Sequence, residues 1–273
     1  MTPATATHEH AAHKPRVEVE PDYHRENPEL WFLLYLQKIV VEFDGFRALD
    51  IDALGIQHNE LRVIIGPNGA GKTTLCDVVS GKTLPTAGEV YFNRNRITGM
   101  SESQIAQRGV GRKFQTPTVF DSLTVYENME LALPTRRSVW RNLWSRETPE
   151  QRDQILALLE RVGLIAALHS PAQQLSHGQR QWLEIAMLIL ARPRLLLVDE
   201  PAAGLSDEET VRTAELLLEL RGEQTIIVIE HDMDFVRQLD SRVTVLNEGR
   251  VLADGPMQKV QSDPAVIEAY LGR

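Results

Sequence analysis

Residues 61–81 read LRVIIGPNGAGKTTLCDVVSG: an apolar run, a glycine-rich loop, and a short stretch that stops at Gly81. The run predicts a strand and the stretch a helix, since a glycine tolerates the left-handed conformation in which helices commonly end. Between them Gly66, Pro67, Asn68, Gly69, Ala70, Gly71, Lys72 and Thr73 fit G-x-x-x-x-G-K-[ST] in the strand-to-helix setting that this pattern needs. Glycines let successive backbone N–H groups curl around a phosphate, and the helix N-terminus adds positive potential. Lys72 then reaches the β- and γ-oxygens of a nucleotide, and the Thr73 hydroxyl ligates magnesium.

A second apolar run, RLLLVDE, ends in two acids, Asp199 and Glu200. Alone, such an ending reads as a solvated strand end. Coupled to a phosphate loop, Asp199 is placed to hold magnesium and Glu200 to polarise the water that attacks a γ-phosphate.

The rest of the chain supplies an α/β frame for these two segments. LQKIVVEF, EVYF and GVGRKF are strand candidates ahead of a helical region at about residues 117–190. In that region Thr124 with Glu127, Thr148 with Gln151, and Ser176 with Gln179 each form the reciprocal capping pattern of a helix start. Strands return in RLLLVDE, TIIVIEH and RVTVLNEG; the first two are continuous apolar runs, as parallel strands covered on both faces require. Asn247-Glu248-Gly249 then turns the chain into RVLADG as a hairpin.

Composition narrows the classes. The 273 residues carry a formal net charge of −9, which argues against general binding to a nucleic-acid backbone. The single cysteine, Cys76, excludes an intrachain disulfide framework and falls inside a helix, where a small buried residue is the plain reading. No stretch reaches the roughly 18 consecutive apolar residues of a membrane span. Residues 1–29, rich in Pro, Ala, Thr and charge, read as a mobile tail, and 30–273 as one domain.

Taken in order, GPNGAGKT, Gln115 in KFQTP, LSHGQ, LLLVDEP, the loop Ala203 to Asp207, and His231 in IEHDM resemble the ATP-binding cassette ATPases. The resemblance covers the chain from Leu36 to its C-terminus. It implies an α/β P-loop fold with a RecA-like parallel sheet, an antiparallel β-subdomain and an inserted helical subdomain, and it implies ATP and Mg2+ as ligands. It adds Thr74 to the phosphate-loop contacts and assigns Phe43 to the aromatic that stacks on adenine; Phe46 is a nearby alternative, and either can instead be core. It makes Gln115 the residue that senses magnesium and the attacking water, and His231 the switch on the γ-phosphate.

Ser176, His177, Gly178 and Gln179 become the signature, which in this family acts on ATP held by the opposite subunit. A second cassette, identical or homologous, is therefore expected, with two membrane permease subunits and, indirectly, a periplasmic solute-binding protein. The expected location is the cytoplasmic face of the inner membrane, as a peripheral subunit. Two departures stand out: His177 replaces the usual glycine, and Ser206 replaces the usual aspartate, with Asp207 one residue later.

The ending DPAVIEAYLGR and the stretches GRKFQTPTVFDSLTVYENMELAL and EHDMDFV look like importers of branched-chain amino acids and related amides. Within that group, SGKT, SVWRNLW, LSHGQRQWLEIAMLIL and EHDMDFVRQ look most like the ATP-binding subunit of urea importers. The aromatics of RRSVWRNLWSR, or the loop Thr116 to Phe120, are expected to receive the membrane subunits. No long coiled-coil insertion or second cassette with a basic linker favours the nucleic-acid branches of the family.

Overall fold

The computed structural model describes residues 27–113, 119–133 and 148–271. Gln115, the segment RRSVWRNLWSR and almost all of the expected tail lie outside them. The apolar runs form the parallel part of one sheet. β3 (Leu61–Ile65) is central, flanked by β8 (Thr225–Ile229) and β9 (Arg242–Asn247); β7 (Leu195–Asp199) and β6 (Val110–Lys113) continue beyond β8. All of these pair in parallel, and β10 (Arg250–Pro256) closes the other edge as the antiparallel arm of a hairpin. Its turn holds Glu248 and Gly249 at φ 49° and 78°, the left-handed pair that a tight two-residue hairpin requires.

Because neighbouring strand residues point to opposite faces, each apolar run feeds two cores. Ile64, Leu195, Leu197, Ile227 and Ile229 pack on one side with α1 (Lys72–Ser80) and α2 (Glu102–Gln107). Val63, Ile65, Leu196, Val198, Ile226 and Val228 pack on the other, against helices inserted between β6 and β7. Those are α3 (Val125–Ala132), α4 (Pro149–Arg161) and α5 (His177–Leu190). Each begins with the expected capping box, from Thr124, Thr148 and Ser176 respectively.

A second sheet runs in the order β2 (Phe46–Ile56), β1 (Leu34–Phe43), β4 (Ala87–Phe92) and β5 (Asn95–Arg96), all antiparallel. The sequence reading had no strand at FRALDIDALGI, because Asp50, Asp52 and Gly55 weaken its local preference. Tertiary contacts override that preference. Leu49 and Ile51 are buried, Asp50 pairs with Arg47 and Arg250, and Gly55 lies so close to the Phe32 ring that a Cβ would sit 2.7 Å away.

The two sheets meet at the glycine loop. Gly249 N–H donates to Ala70 O (3.1 Å) while Gly249 O accepts from Asp50 N–H (2.8 Å), so one hairpin turn touches both the loop and β2. Gly71, at φ 98°, has room for no side chain there, since a Cβ would meet Ala48 O at 2.7 Å. Behind the loop, α1 buries Cys76, and desolvation pushes its thiol up to about 12, so it stays protonated and inert at neutral pH. Among the described residues no helix is long and apolar enough to cross a membrane.

Candidate functional site

The strand ends on one edge of the parallel sheet gather the charged residues that the sequence singled out. Lys72, the first residue of α1, is only 8% exposed, and its ammonium donates to Gly66 O (2.7 Å) and Pro67 O (3.1 Å). Burial lowers its proton affinity, and the carboxylates of Glu200 and Asp199 work in the opposite direction. The loop thus holds its own lysine against two carbonyls that anionic oxygens can replace. Thr73, beside it, is exposed, and Thr74 is half-buried.

Asp199 ends β7 and is 4% exposed. Burial raises its pKa above the ordinary carboxylate value, opposed mainly by Arg112, whose guanidinium is 4.0 Å from Oδ2. That Oδ2 is buried without a hydrogen-bond partner among the described residues. An acceptor left in this state is costly unless a cation or donor completes it. Arg112 is itself anchored on α1 through Asp77 Oδ1 (2.5 Å) and Ser80 Oγ (2.9 Å), and so ties β6 to the helix that carries Lys72.

Glu200 follows at φ 48°, a conformation that residues other than glycine adopt sparingly, and its N–H donates to Ile229 O (2.9 Å). The turn lifts the carboxylate out of the sheet, to 37% exposure, with Oε1 3.4 Å from Nδ1 of His231. Lys72, Asp199, Glu200 and His231 therefore occupy one edge, as the sequence reading expected.

Three supporting residues escaped that reading. Glu230, 1% exposed, accepts from the backbone N–H groups of Ala202, His231 and Asp232. Its signal was an acid ending the apolar run TIIVIE. Gln181, on α5, donates to Pro201 O, and Arg112 bridges β6 and α1. Their roles depend on partners far away in sequence.

Phe43 and Phe46 face each other across the turn at Asp44 and Gly45, and both are exposed. The open cleft that reaches Gly69 is lined by Phe46, Arg47, Asn247 and Arg250, and Phe43 is not among its lining residues.

Ser176 to Gln179 take no part in this cluster. No hydrogen bond or ion pair joins them to Gly66–Thr73 among the described residues; Ser176 Oγ accepts from Gln179 N–H (3.2 Å), and Gln179 Oε1 accepts from Ser176 N–H (3.0 Å). Ser176 and His177 are exposed at the start of α5. An exposed helix N-terminus with no ligand in its own chain suits an anion brought by another molecule.

The chain matches the ABC transporter family over residues 49–203, and the branched-chain amino acid ATP-binding cassette transporter family over residues 250–273. It is 36% identical over 251 residues to the high-affinity branched-chain amino acid transport ATP-binding protein LivG of Salmonella typhimurium, covering 88% of this chain and 98% of that one. Identity to BraF of Pseudomonas aeruginosa, a protein of the same description, is 35% over 251 residues, with the same coverage. Among solved structures, the ADP conformation of an ATP-binding cassette from an ABC transporter superposes with a TM-score of 0.76 at 31% identity, covering 88% of this chain and 99% of that one.

The chain belongs to the ATP-binding cassette transporter family.

It is an ATPase of the branched-chain amino acid importer type, in which ATP hydrolysis is coupled to transport. These relatives match the amino-acid alternative of the sequence reading better than its urea reading.

Both departures of this cassette from the common pattern have local explanations. Ser206 caps α6 (Asp207–Leu220): its Oγ accepts from Glu209 N–H (3.3 Å), and Glu209 Oε2 accepts from Ser206 N–H (3.0 Å). Asp207 is merely the exposed first residue of that helix. The His177 ring lies over Gly204, where a Cβ would come within 3.3 Å of Nε2; Gly178 is buried against the Glu209 carboxylate. The imidazole thus packs on the loop after Glu200 in its own chain. His177→Gly is expected to keep ATP turnover within about twofold of the parent, as for a surface side chain, whereas Ser176→Arg blocks it. Turnover assays on both variants check this; a collapse of the glycine variant would give the imidazole a direct role.

Proposed function

We propose that this chain is the ATP-hydrolysing subunit of an importer for branched-chain amino acids or related amides. It works at the cytoplasmic face of the inner membrane against two permease subunits fed by a periplasmic solute-binding protein. The observation that carries the reading is the convergence of Lys72, Asp199, Glu200 and His231 on one sheet edge, next to a glycine loop that holds its own lysine on two backbone carbonyls.

Each group has work that its geometry suits. The N–H groups of Gly69 to Thr74 cradle the α- and β-phosphates of ATP, and Lys72 exchanges its two carbonyl partners for β- and γ-oxygens. An aromatic at the hairpin tip, Phe43 or Phe46, stacks on adenine. Asp199 Oδ2, which has no hydrogen-bond partner among the described residues, and the hydroxyl of the exposed Thr73 fit a small hard cation, which would also relieve the burial of Asp199. Mg2+ bound there would neutralise charge on the phosphate oxygens. Glu200 orients water in line with the γ-phosphorus and takes its proton, while His231, 3.4 Å away, holds Glu200 and meets the γ-phosphate. Gln115 completes the water and cation contacts.

The exposed signature calls for a second cassette. Closure of the pair on ATP would give Ser176, His177, Gly178 and Gln179 the partner's γ-phosphate, and this motion would drive the permeases. Branched-chain amino acids are the solute reading that the relatives support; urea is the second reading, supported by LSHGQRQWLEIAMLIL and EHDMDFVRQ.

Lys72→Ala is expected to abolish ATP binding in titration calorimetry. Glu200→Gln is expected to bind ATP normally but lower turnover by about a hundredfold or more; normal turnover would remove Glu200 from the base role. In cells lacking this chain, uptake of labelled leucine is expected to fall while urea uptake persists. The reverse pattern would assign the importer to urea.

A further inference from the structure

Glu230 is a buried carboxylate that the roles above leave unused. Oε1 accepts from Ala202 N–H (3.0 Å), two residues after Glu200; Oε2 accepts from His231 N–H (2.9 Å) and Asp232 N–H (3.3 Å). Its own N–H donates to Ile64 O (3.2 Å), on the strand that enters the glycine loop. It is 1% exposed, and Oε2 is also 3.8 Å from Nδ1 of His231. A buried carboxylate accepting from several backbone donors makes short, directional bonds that are stronger than neutral ones.

We infer that Glu230 is a positioning residue: its carboxylate clamps the loop after Glu200 to the loop carrying His231, so that the water-activating acid and its histidine move as one unit. The inference rests on the ATPase reading above. The carboxylate is suited to the task because it is acceptor-only, with one oxygen for each loop. A glutamine of the same size has a single acceptor oxygen. If that oxygen serves His231 and Asp232, its amide N–H faces the Ala202 N–H, donor against donor, and the clamp opens on that side. Nothing in this contact touches Lys72 or Thr73, so the cradle of the α- and β-phosphates is left alone.

The test compares the parent, Glu230→Gln, Glu230→Asp and Glu200→Gln in the assembled importer. It measures ATP turnover against ATP concentration, together with amide hydrogen exchange. For Glu230→Gln the expected result is a kcat lowered by about 10- to 100-fold, as misplaced catalytic groups produce. KM should stay within about twofold, and protection should be lost at Ala202 but not across β3, β7 and β8. Glu230→Asp, too short to span both loops, should show the same split. Unchanged kcat with Ala202 deprotected would overturn the inference. So would a parallel loss of kcat, ATP binding and protection throughout the sheet, or failure of both variants to fold, since either would reduce Glu230 to a folding role. If Glu200→Gln turns over normally, Glu200 is not the base and the reading on which the inference rests fails, a result separate from the others.

Discussion

The parallel ladder joining β3, β8 and β7 is the constraint on which the site depends. It sets the register so that three loops leave the same edge together: the glycine loop after Ile65, the acidic pair after Val198, and the histidine loop after Ile229. Two bonds extend the ladder past the strands, Glu200 N–H to Ile229 O and Glu230 N–H to Ile64 O. A slip of one residue would turn Asp199 to the other face and send the apolar alternation into the wrong cores. The same ladder thus sorts the two cores and fixes where Lys72, Asp199, Glu200 and His231 sit relative to one another.

Around this edge, the other elements act as supports whose charge or shape is explained by what they hold. The β9–β10 turn joins the glycine loop to the antiparallel sheet through Gly249. Arg62, fully buried on β3, bonds Thr244 Oγ1 (2.8 Å) and Asp254 Oδ1 (2.9 Å), fastening the hairpin to the strand that feeds the loop. On the far side Gln181 and Glu230 hold the segment after Glu200 from two directions, one from the signature helix and one from the histidine loop. Movement of α5 can therefore reach Glu200 through a single short segment.

What was legible in the sequence was the chemistry that local spacing enforces. The glycine loop, the acids ending RLLLVDE, the three capping boxes and the Glu248–Gly249 turn are all set by residues a few positions apart, and the structure has them as read. FRALDIDALGI was not legible as a strand, because its aspartates and glycine are stabilised by Arg47, Arg250 and Phe32 from elsewhere. Glu230 was hidden for the same reason: one of its donors, Ala202, arrives from another strand end. His177 and Ser206 were visible as departures, but their explanations needed the packing of α5 against the start of α6. The solute left little trace in this chain.

The central claim is that ATP and its cation engage this edge of the sheet. The direct measurement is a crystal structure of the Glu200→Gln variant grown with ATP and Mn2+, the metal located by its anomalous signal. The account predicts the metal between the Thr73 hydroxyl and Asp199 Oδ2, with the triphosphate wrapped by Gly69 to Thr74 and its γ-phosphate facing His231. Nucleotide bound elsewhere, or metal remote from Asp199, would contradict it.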